Sequence, residues 1–567
     1  MNRTHFMQRE TTDMLKPIVA ALLLALPLAA QAAVTQPGAG SILQQIKPAI
    51  PPAPSSDNTG LKIEQHGKGA LPATAPFLVK HIRITGNARF DTATLHALVM
   101  DVEGRSLTLP QLDAVAKRIT DYYHAHGYPL ARAVIPAQTI QGGEVEIEVV
   151  EARFGKIDLN NSSRVKDPLL QATLSPLQSG QAIEQAALDR SLLLLSDIPG
   201  VATSATLKPG QTVGTSDLDI ATAPTSFVAG NVSLDNYGNQ YTGRARASGS
   251  VSLVNPLHHG DVLSFSGMST GSGMNYGRLS YETLLNGRGT RIGGAYSALH
   301  YILGSTLASL YGHGTAQVGS LWAKHPFIRS RNLNLYGQIE YDNKKLKDHL
   351  DASATRTDRH LDNWTATLSG DLRDAWLSGG VNTWNLALES GRVAFDDTAA
   401  QQSDSATANT QGSFTKWNAN FARLQRLSDR NGLYLSFSGQ WSSTNLDSAE
   451  KMVAGGPYTV RAYDMGVLSG DSGYLGTAEL RHDLGSKWHG QWRATAFVDS
   501  EHITVNHTTW TTGANGATLS GAGVGLDWTG QHLWSAKAYI AAPIGSMPTL
   551  LTSRSSYRGW IQLSKGF

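Results

Sequence analysis

The chain has 567 residues, no cysteine, and 47 Lys+Arg against 45 Asp+Glu. That length exceeds one ordinary domain, the missing cysteines exclude disulfide frameworks, Cys-ligated zinc and thiol nucleophiles, and the near balance of charge leaves no nucleic-acid footprint. Charged residues make up only 16% and glycines number 57, a composition common in glycine-rich β proteins and unusual in soluble enzymes.

In chain order, Arg3, Arg9 and Lys16 precede an apolar run from Pro17 to Ala30, and Ala30-Gln31-Ala32 fits the small-residue cleavage rule. Residues 1–32 therefore read as a signal peptide cut after Ala32; the run is too short for a comfortable membrane span. In residues 33–76, Ser41 is expected to cap a short helix with Ile42, Leu43 and Ile46 on one face. Pro48, Pro51, Pro52 and Pro54 then open a stiff, exposed linker reaching about Pro76. A helix this short is marginal alone, so it frays or docks elsewhere in the molecule.

From Phe77 the pattern changes. "FLVKHIRITG" reads as a strand and turn, and "DTATLHALV" as a helix capped by Asp91. "TLPQLDAVAKRITDYYHAHG" is a longer helix with Leu112, Val115, Ile119 and Tyr122 on one face and Gly127 at its end. Two strands follow, so residues 77–152 form a β-α-α-β-β unit. The same order returns in residues 153–225, which marks a tandem module.

From about Ser226 alternation with period two takes over. In "GLYLSFSGQW", Leu433, Leu435, Phe437 and Trp441 oppose Tyr434, Ser436, Ser438 and Gln440. Similar strands, one face apolar and the other small and serine-rich, fill residues 226–567, and Trp and Tyr recur near strand ends. This is the signature of a transmembrane barrel with a polar lumen, and at about 20 residues per strand and connection it holds about 16 antiparallel strands. The polar insert from Asp396 reads as a large outward loop. The last strand ends on Phe567, like the assembly signal of outer-membrane barrels.

Two stretches carry the candidate site. In "GGPYTVRAYD" a Gly-Gly-Pro turn leads into what reads as an extended run holding Arg461. In "QWRATAFVDSE" the pleat puts Trp492, Ala494, Ala496 and Val498 on one face and Arg493, Thr495, Phe497 and Asp499 on the other. The first face suits lipid, so Asp499 points into the lumen and needs water or a cation. Arg461 supplies the cation if its loop folds inward, since its planar fork pairs with a carboxylate at two points. Solvation of both charges by lumen water is the alternative.

On these residues the sequence resembles the outer-membrane transporters of bacterial two-partner secretion, the TpsB family within the POTRA-barrel superfamily. The resemblance covers nearly the whole chain after residue 32. Its sharpest motif is a Val-Arg-Gly-Tyr/Phe loop signature, here Val460-Arg461-Ala462-Tyr463, with Ala462 in place of the usual glycine. Its second is Phe-x-Asp on a lumen strand, here Phe497-Val498-Asp499. The resemblance implies an all-β transmembrane barrel preceded by two small α+β POTRA domains and an N-terminal plug helix (Ile42, Leu43, Ile46). It implies a loop folded into the barrel with its Arg on that Asp. It also implies a non-enzymatic translocase in the outer membrane, with POTRA domains in the periplasm. Its partner would be a large exoprotein of adhesin or haemolysin type, unfolded in the periplasm and carrying an N-terminal secretion domain; outer-membrane lipid and the barrel-assembly machinery are the other expected partners. A barrel-assembly insertase of the same superfamily is the alternative function.

No cofactor, metal or nucleic-acid partner is expected. No G-x-x-x-x-G-K-[ST] motif is present. Gly267-Met268-Ser269-Thr270-Gly271 matches G-x-S-x-G but has no helix after it, and His258-His259 reads as a solvated turn without a third ligand.

Overall fold

The computed structural model describes residues 37–46, 61–64 and 74–567. The signal peptide and the proline run of the linker lie outside the described residues.

The first helix, α1 (Ala39–Gln45), starts before Ser41. Its N-cap is Gly38, and Ser41 sits inside the first turn, where its hydroxyl accepts the Gly38 N–H at 3.0 Å. Within the stretch read as exposed linker, β1 (Leu61–Ile63) is a strand.

The first α+β unit comprises β2 (Phe77–Val79), β3 (His81–Thr85), α2 (Thr92–Ala97), β4 (Arg105–Leu107), α3 (Leu109–Ala125), β5 (Arg132–Val134) and β6 (Glu144–Val150). β6 is central, parallel to β3 and antiparallel to β5. Asp91 caps α2 by accepting the Thr94 N–H at 2.7 Å, and Thr108 with Gln111 forms a capping box on α3. The core face of α3 is Leu112, Val115, Ala116, Ile119 and Tyr123. Tyr122, expected on that face, is only partly buried, because the 3.6 period carries the stripe from Ile119 to the residue four on. Each fully buried Leu or Ile here contributes about 1.5–3 kcal/mol. The Tyr123 hydroxyl donates to Glu151 at 2.9 Å; burial, and then that carboxylate, push the phenol pKa up.

The second unit runs β7 (Arg153–Asn161), α4 (Asp167–Leu174), α5 (Gln185–Ser196), β8 (Val201–Pro209) and β9 (Thr215–Pro224). Its sheet order is β1-β8-β9-β7, so the linker strand β1 completes it, running parallel to β8 with Leu61 opposite Ala205 and Ile63 opposite Leu207. A free strand edge presents unpaired N–H and C=O groups, and β1 satisfies those of β8.

Sixteen strands, from Val228–Asp235 to Arg558–Gly566, close a barrel of antiparallel neighbours. The closing seam pairs the first and last strands, Asn231 to Asp235 against Gly566 to Gln562. Leu435, Phe437, Val498 and Ile561 are among the apolar side chains exposed on the outside, where lipid covers them. Inside, serines pair across strands, Ser233 with Ser248 and Ser252 with Ser264, each at 2.7 Å. Among the described residues no helix is long and apolar enough to cross a membrane; strands do the crossing. The polar insert after Asp396 contains a helix, α6 (Thr398–Ser405), capped by Asp397.

The second unit is clamped to the barrel. The carboxylate of Asp197 takes Arg329 in a fork at 2.7 and 2.9 Å, and Asp189 takes Arg331 at 2.7 Å. His258-His259 is exposed in a turn, as expected, and also touches this junction: His258 Nδ1 lies 2.7 Å from the Arg164 carbonyl and His259 Nε2 3.1 Å from Lys166 Nζ. The Gly267–Gly271 stretch lies on and just beyond the barrel strand Val262–Ser269.

Candidate functional site in the barrel lumen

The connection between strands Asn431–Ser442 and Ser472–Lys487 folds into the barrel. Leu446, Ala449, Ala454, Val460, Ala462, Tyr463 and Leu468 along it are buried. A short hairpin, Met452–Ala454 against Leu468–Gly470, frames its tip. Gly455 and Gly456 have φ of +84° and +120°, a region that disfavours side chains. A Cβ on Gly455 would meet the Asp464 carbonyl oxygen at 2.3 Å. The residues beyond this break, expected as an extended run, form a turn closed by the Tyr463 N–H on the Val460 carbonyl at 3.1 Å. The turn is what aims Arg461 at the wall.

Arg461 meets Asp499 at three points: its backbone N–H at 3.1 Å, Nε at 2.9 Å and Nη2 at 2.7 Å. Nη1 donates to Glu479 at 2.7 Å. Asp499 is 0% exposed and also accepts from the Thr477 hydroxyl at 3.0 Å. Glu479 in turn is held by Arg481 at 2.9 and 2.6 Å. Two cations thus face two carboxylates. The guanidinium carbon lies 3.4 Å from the centre of the Phe497 ring, so Phe497 provides a π face for a desolvated cation. Trp560 on the last strand donates to the Arg461 carbonyl at 2.7 Å.

Ala462 occupies the place of the motif glycine. It does not have a positive φ, so no glycine is demanded by the backbone. Room for its methyl comes from Gly521 on the wall, where an added Cβ would lie 2.4 Å from the Ala462 Cβ.

Helix α1 lies against this loop. Ala39, Ile42 and Leu43 are buried in one cluster with Leu299, Tyr301, Leu346 and Ala449, and Ile46 packs at its edge. Asp348 accepts the Ala39 N–H at 2.6 Å, a carboxylate at the helix N-terminus. Gln44 donates to the Ala449 carbonyl, and a Cβ on Gly40 would meet Ala449 N at 2.5 Å. Arg359 joins the two elements, reaching Asp348 at 2.7 Å on the helix side and Asp447 on the loop side. Deeper in the loop, Glu450 holds Lys344 at 2.6 Å and Lys416 at 2.7 Å.

The structure brings Val460, Arg461, Ala462, Tyr463, Phe497 and Asp499 together, and places Ile42, Leu43 and Ile46 in a separate lumen cluster. Phe567 is elsewhere, at the seam, exchanging backbone hydrogen bonds of 3.0 Å with Gly230 while its ring is half exposed. Sequence reasoning missed Glu479, Arg359 and Asp348. Glu479 alternates with the exposed Leu480, so its pleat marks it as lumen-facing; nothing local marks it as a partner of Arg461.

A family model described as "Haemolysin secretion/activation protein ShlB/FhaC/HecB" matches residues 214–528. The chain belongs to this family. A second model, "POTRA domain, ShlB-type", matches residues 77–152. The heme/hemopexin transporter protein HuxB of Haemophilus influenzae (strain 86-028NP) is 24% identical over 547 residues, covering 94% of this chain and 96% of its own. The outer membrane transporter CdiB of Escherichia coli is 24% identical over 472 residues, covering 81% of this chain and 77% of its own. The solved structure of CdiB from Escherichia coli shares the fold, with a TM-score of 0.68 at 22% identity over 89% of this chain and 93% of that one. The transporter is thus an outer-membrane barrel with periplasmic POTRA domains, and its task is two-partner secretion of an exoprotein. The family is one of transporters and not of enzymes.

Proposed function

We propose that the transporter exports a large exoprotein of adhesin or haemolysin type, held unfolded in the periplasm and captured through its N-terminal secretion domain. Residues 77–152 and 153–225 act as the two POTRA receivers. Backbone pairing at their sheet edges gives affinity for an extended chain with little demand on its sequence. Residues 226–567 form the conduit, and its serine-lined wall offers a sliding chain few places to stick. Folding of the passenger outside the cell drives export. Phe567 serves as the signal read by the barrel-assembly machinery during biogenesis.

In this reading the lumen at rest is shut by two gates, the plug helix α1 and the inward loop pinned by Arg461. The observation that supports it most is their mutual contact inside the barrel, where Gln44 reaches the Ala449 carbonyl and Arg359 spans Asp348 and Asp447. Deleting residues 39–46 tests it. Planar-bilayer conductance is expected to rise while the barrel keeps its heat-modifiable migration on gels. Unchanged conductance with a folded barrel rejects α1 as a plug.

A further inference from the structure

The first POTRA domain carries a cluster of titratable side chains apart from the lumen site. His81 Nδ1 lies 3.1 Å from Glu103 Oε1, and His96 Nε2 lies 3.0 Å from the same oxygen. The three donor atoms all fall within 4.8 Å of one another. Three separate segments deliver them. His81 opens β3, His96 stands in the last turn of α2, and Glu103 follows the single 3-10 turn Met100–Val102. They are too far apart in sequence to form a spacing motif, which is why the sequence suggested no metal.

The geometry is close to that of a coordination site. Zinc bonds of about 2.0–2.1 Å to nitrogen and oxygen in a tetrahedron put neighbouring ligand atoms about 3.3–3.4 Å apart. Two of the three edges here are already within a few tenths of an ångström of that spacing, and side-chain torsions alone can adjust the third. Two imidazoles and one carboxylate are a donor set for a borderline transition metal, and a poor one for calcium or magnesium, which take oxygen. His81 is largely exposed while His96 and Glu103 are partly buried, so the fourth position opens to water.

We propose that His81, His96 and Glu103 bind a divalent transition-metal ion, zinc in particular, on the first POTRA domain. The ion would tie β3 to α2 and to the 3-10 turn. Glu103 also accepts the Ile82 N–H at 2.8 Å, so that donor is not engaged by β6. Fixing the carboxylate with metal therefore locks the cover over the outer edge of β3. An extended chain could then add at that edge only after the ion leaves.

The test uses full-length, untagged protein in detergent, stripped with a chelator and titrated with zinc chloride by calorimetry. One equivalent is expected to bind, with affinity falling at least about tenfold in His81→Ala and in His96→Ala, since even outer partners of a metal site are worth 10–100-fold. Cobalt(II) should give the visible absorption of a tetrahedral site, lost in the same variants. Glu103→Gln preserves an acceptor for Ile82 and should weaken binding to a similar degree. His81 is exposed, so its alanine variant leaves the fold intact. The proposal is overturned if the unaltered protein shows no saturable zinc binding, or if His81→Ala binds zinc with the same stoichiometry and affinity, which would mean an adventitious ion only.

Discussion

Replacing Arg461 by alanine removes the one cation that, among the described residues, reaches Asp499. The consequence can be compared with that of Asp499→Ala from the contacts alone. In Arg461→Ala, Asp499 keeps the backbone N–H of residue 461 and the Thr477 hydroxyl, but stays fully buried as an unpaired charge. Glu479 suffers less because Arg481 still holds it. In Asp499→Ala, Arg461 keeps Glu479 and the Phe497 ring. Breaking a buried pair by removing one partner costs about 3–5 kcal/mol, and Arg461→Ala should lie near the top of that range and Asp499→Ala below it. Such a loss shifts the docked-to-free equilibrium of the loop by about two to nearly four orders of magnitude. Hydrogen exchange of residues 455–466 in detergent reads this equilibrium, and secretion titre of the partner reads its effect. The double variant should be no worse than Arg461→Ala, because one interaction is lost only once. The reciprocal swap, Arg461→Asp with Asp499→Arg, should not rescue, since it sets a carboxylate beside Glu479. Strictly additive losses, or unchanged exchange in Arg461→Ala, would refute the argument.

Gly521→Val should displace the motif, because even a Cβ there meets Ala462 at 2.4 Å; exchange of the loop should rise while the barrel still migrates as folded, whereas Ala462→Gly should change exchange only slightly. Asp348→Asn removes the charge at the N-terminus of α1, an effect of about 0.3–2 kcal/mol at helix ends, and should raise the open probability in planar bilayers; a silent, folded variant would show that Asp348 does not hold the helix.

Much of the fold was legible because it rests on local periodicity. Period two separates Leu435 and Phe437 from Gln440, and period 3.6 gathers Leu112, Val115 and Ile119. The same pleat rule sets Phe497 and Asp499 on one face before any partner is known. What escaped depends on contacts between distant segments. Glu479 reaches Arg461 only because strand register sets it opposite Phe497. β1 looked like linker because three residues carry no periodic signal, and the edge of β8 supplies the reason for its strand. Tyr122 and Tyr123 are adjacent, so a one-residue choice on the helix wheel separated a half-buried ring from a buried one. Helix α6 sits in a polar stretch whose helical start is marked by Asp397, a cap that alternation in the surrounding strands obscured.

The two lumen elements differ in how firmly they are held, and this orders their release. Helix α1 has seven residues, too few to be stable in water by itself. Its anchors are the buried Ala39, Ile42 and Leu43, the carboxylate of Asp348 and the side chains of Gln44 and Gln45. The loop is covalently tethered at both ends inside the barrel, closes its own hydrophobic cluster, and carries buried ion pairs at Glu450 and Arg461. Undocking it would strand Asp499 without a cation, whereas withdrawing α1 strands no charge: Arg359 still holds both Asp348 and Asp447. The helix can therefore leave with the loop in place, and the reverse order is disfavoured. Arg359 keeps its ion pair with Asp447 of the loop while α1 withdraws, so loss of the helix does not by itself release the loop.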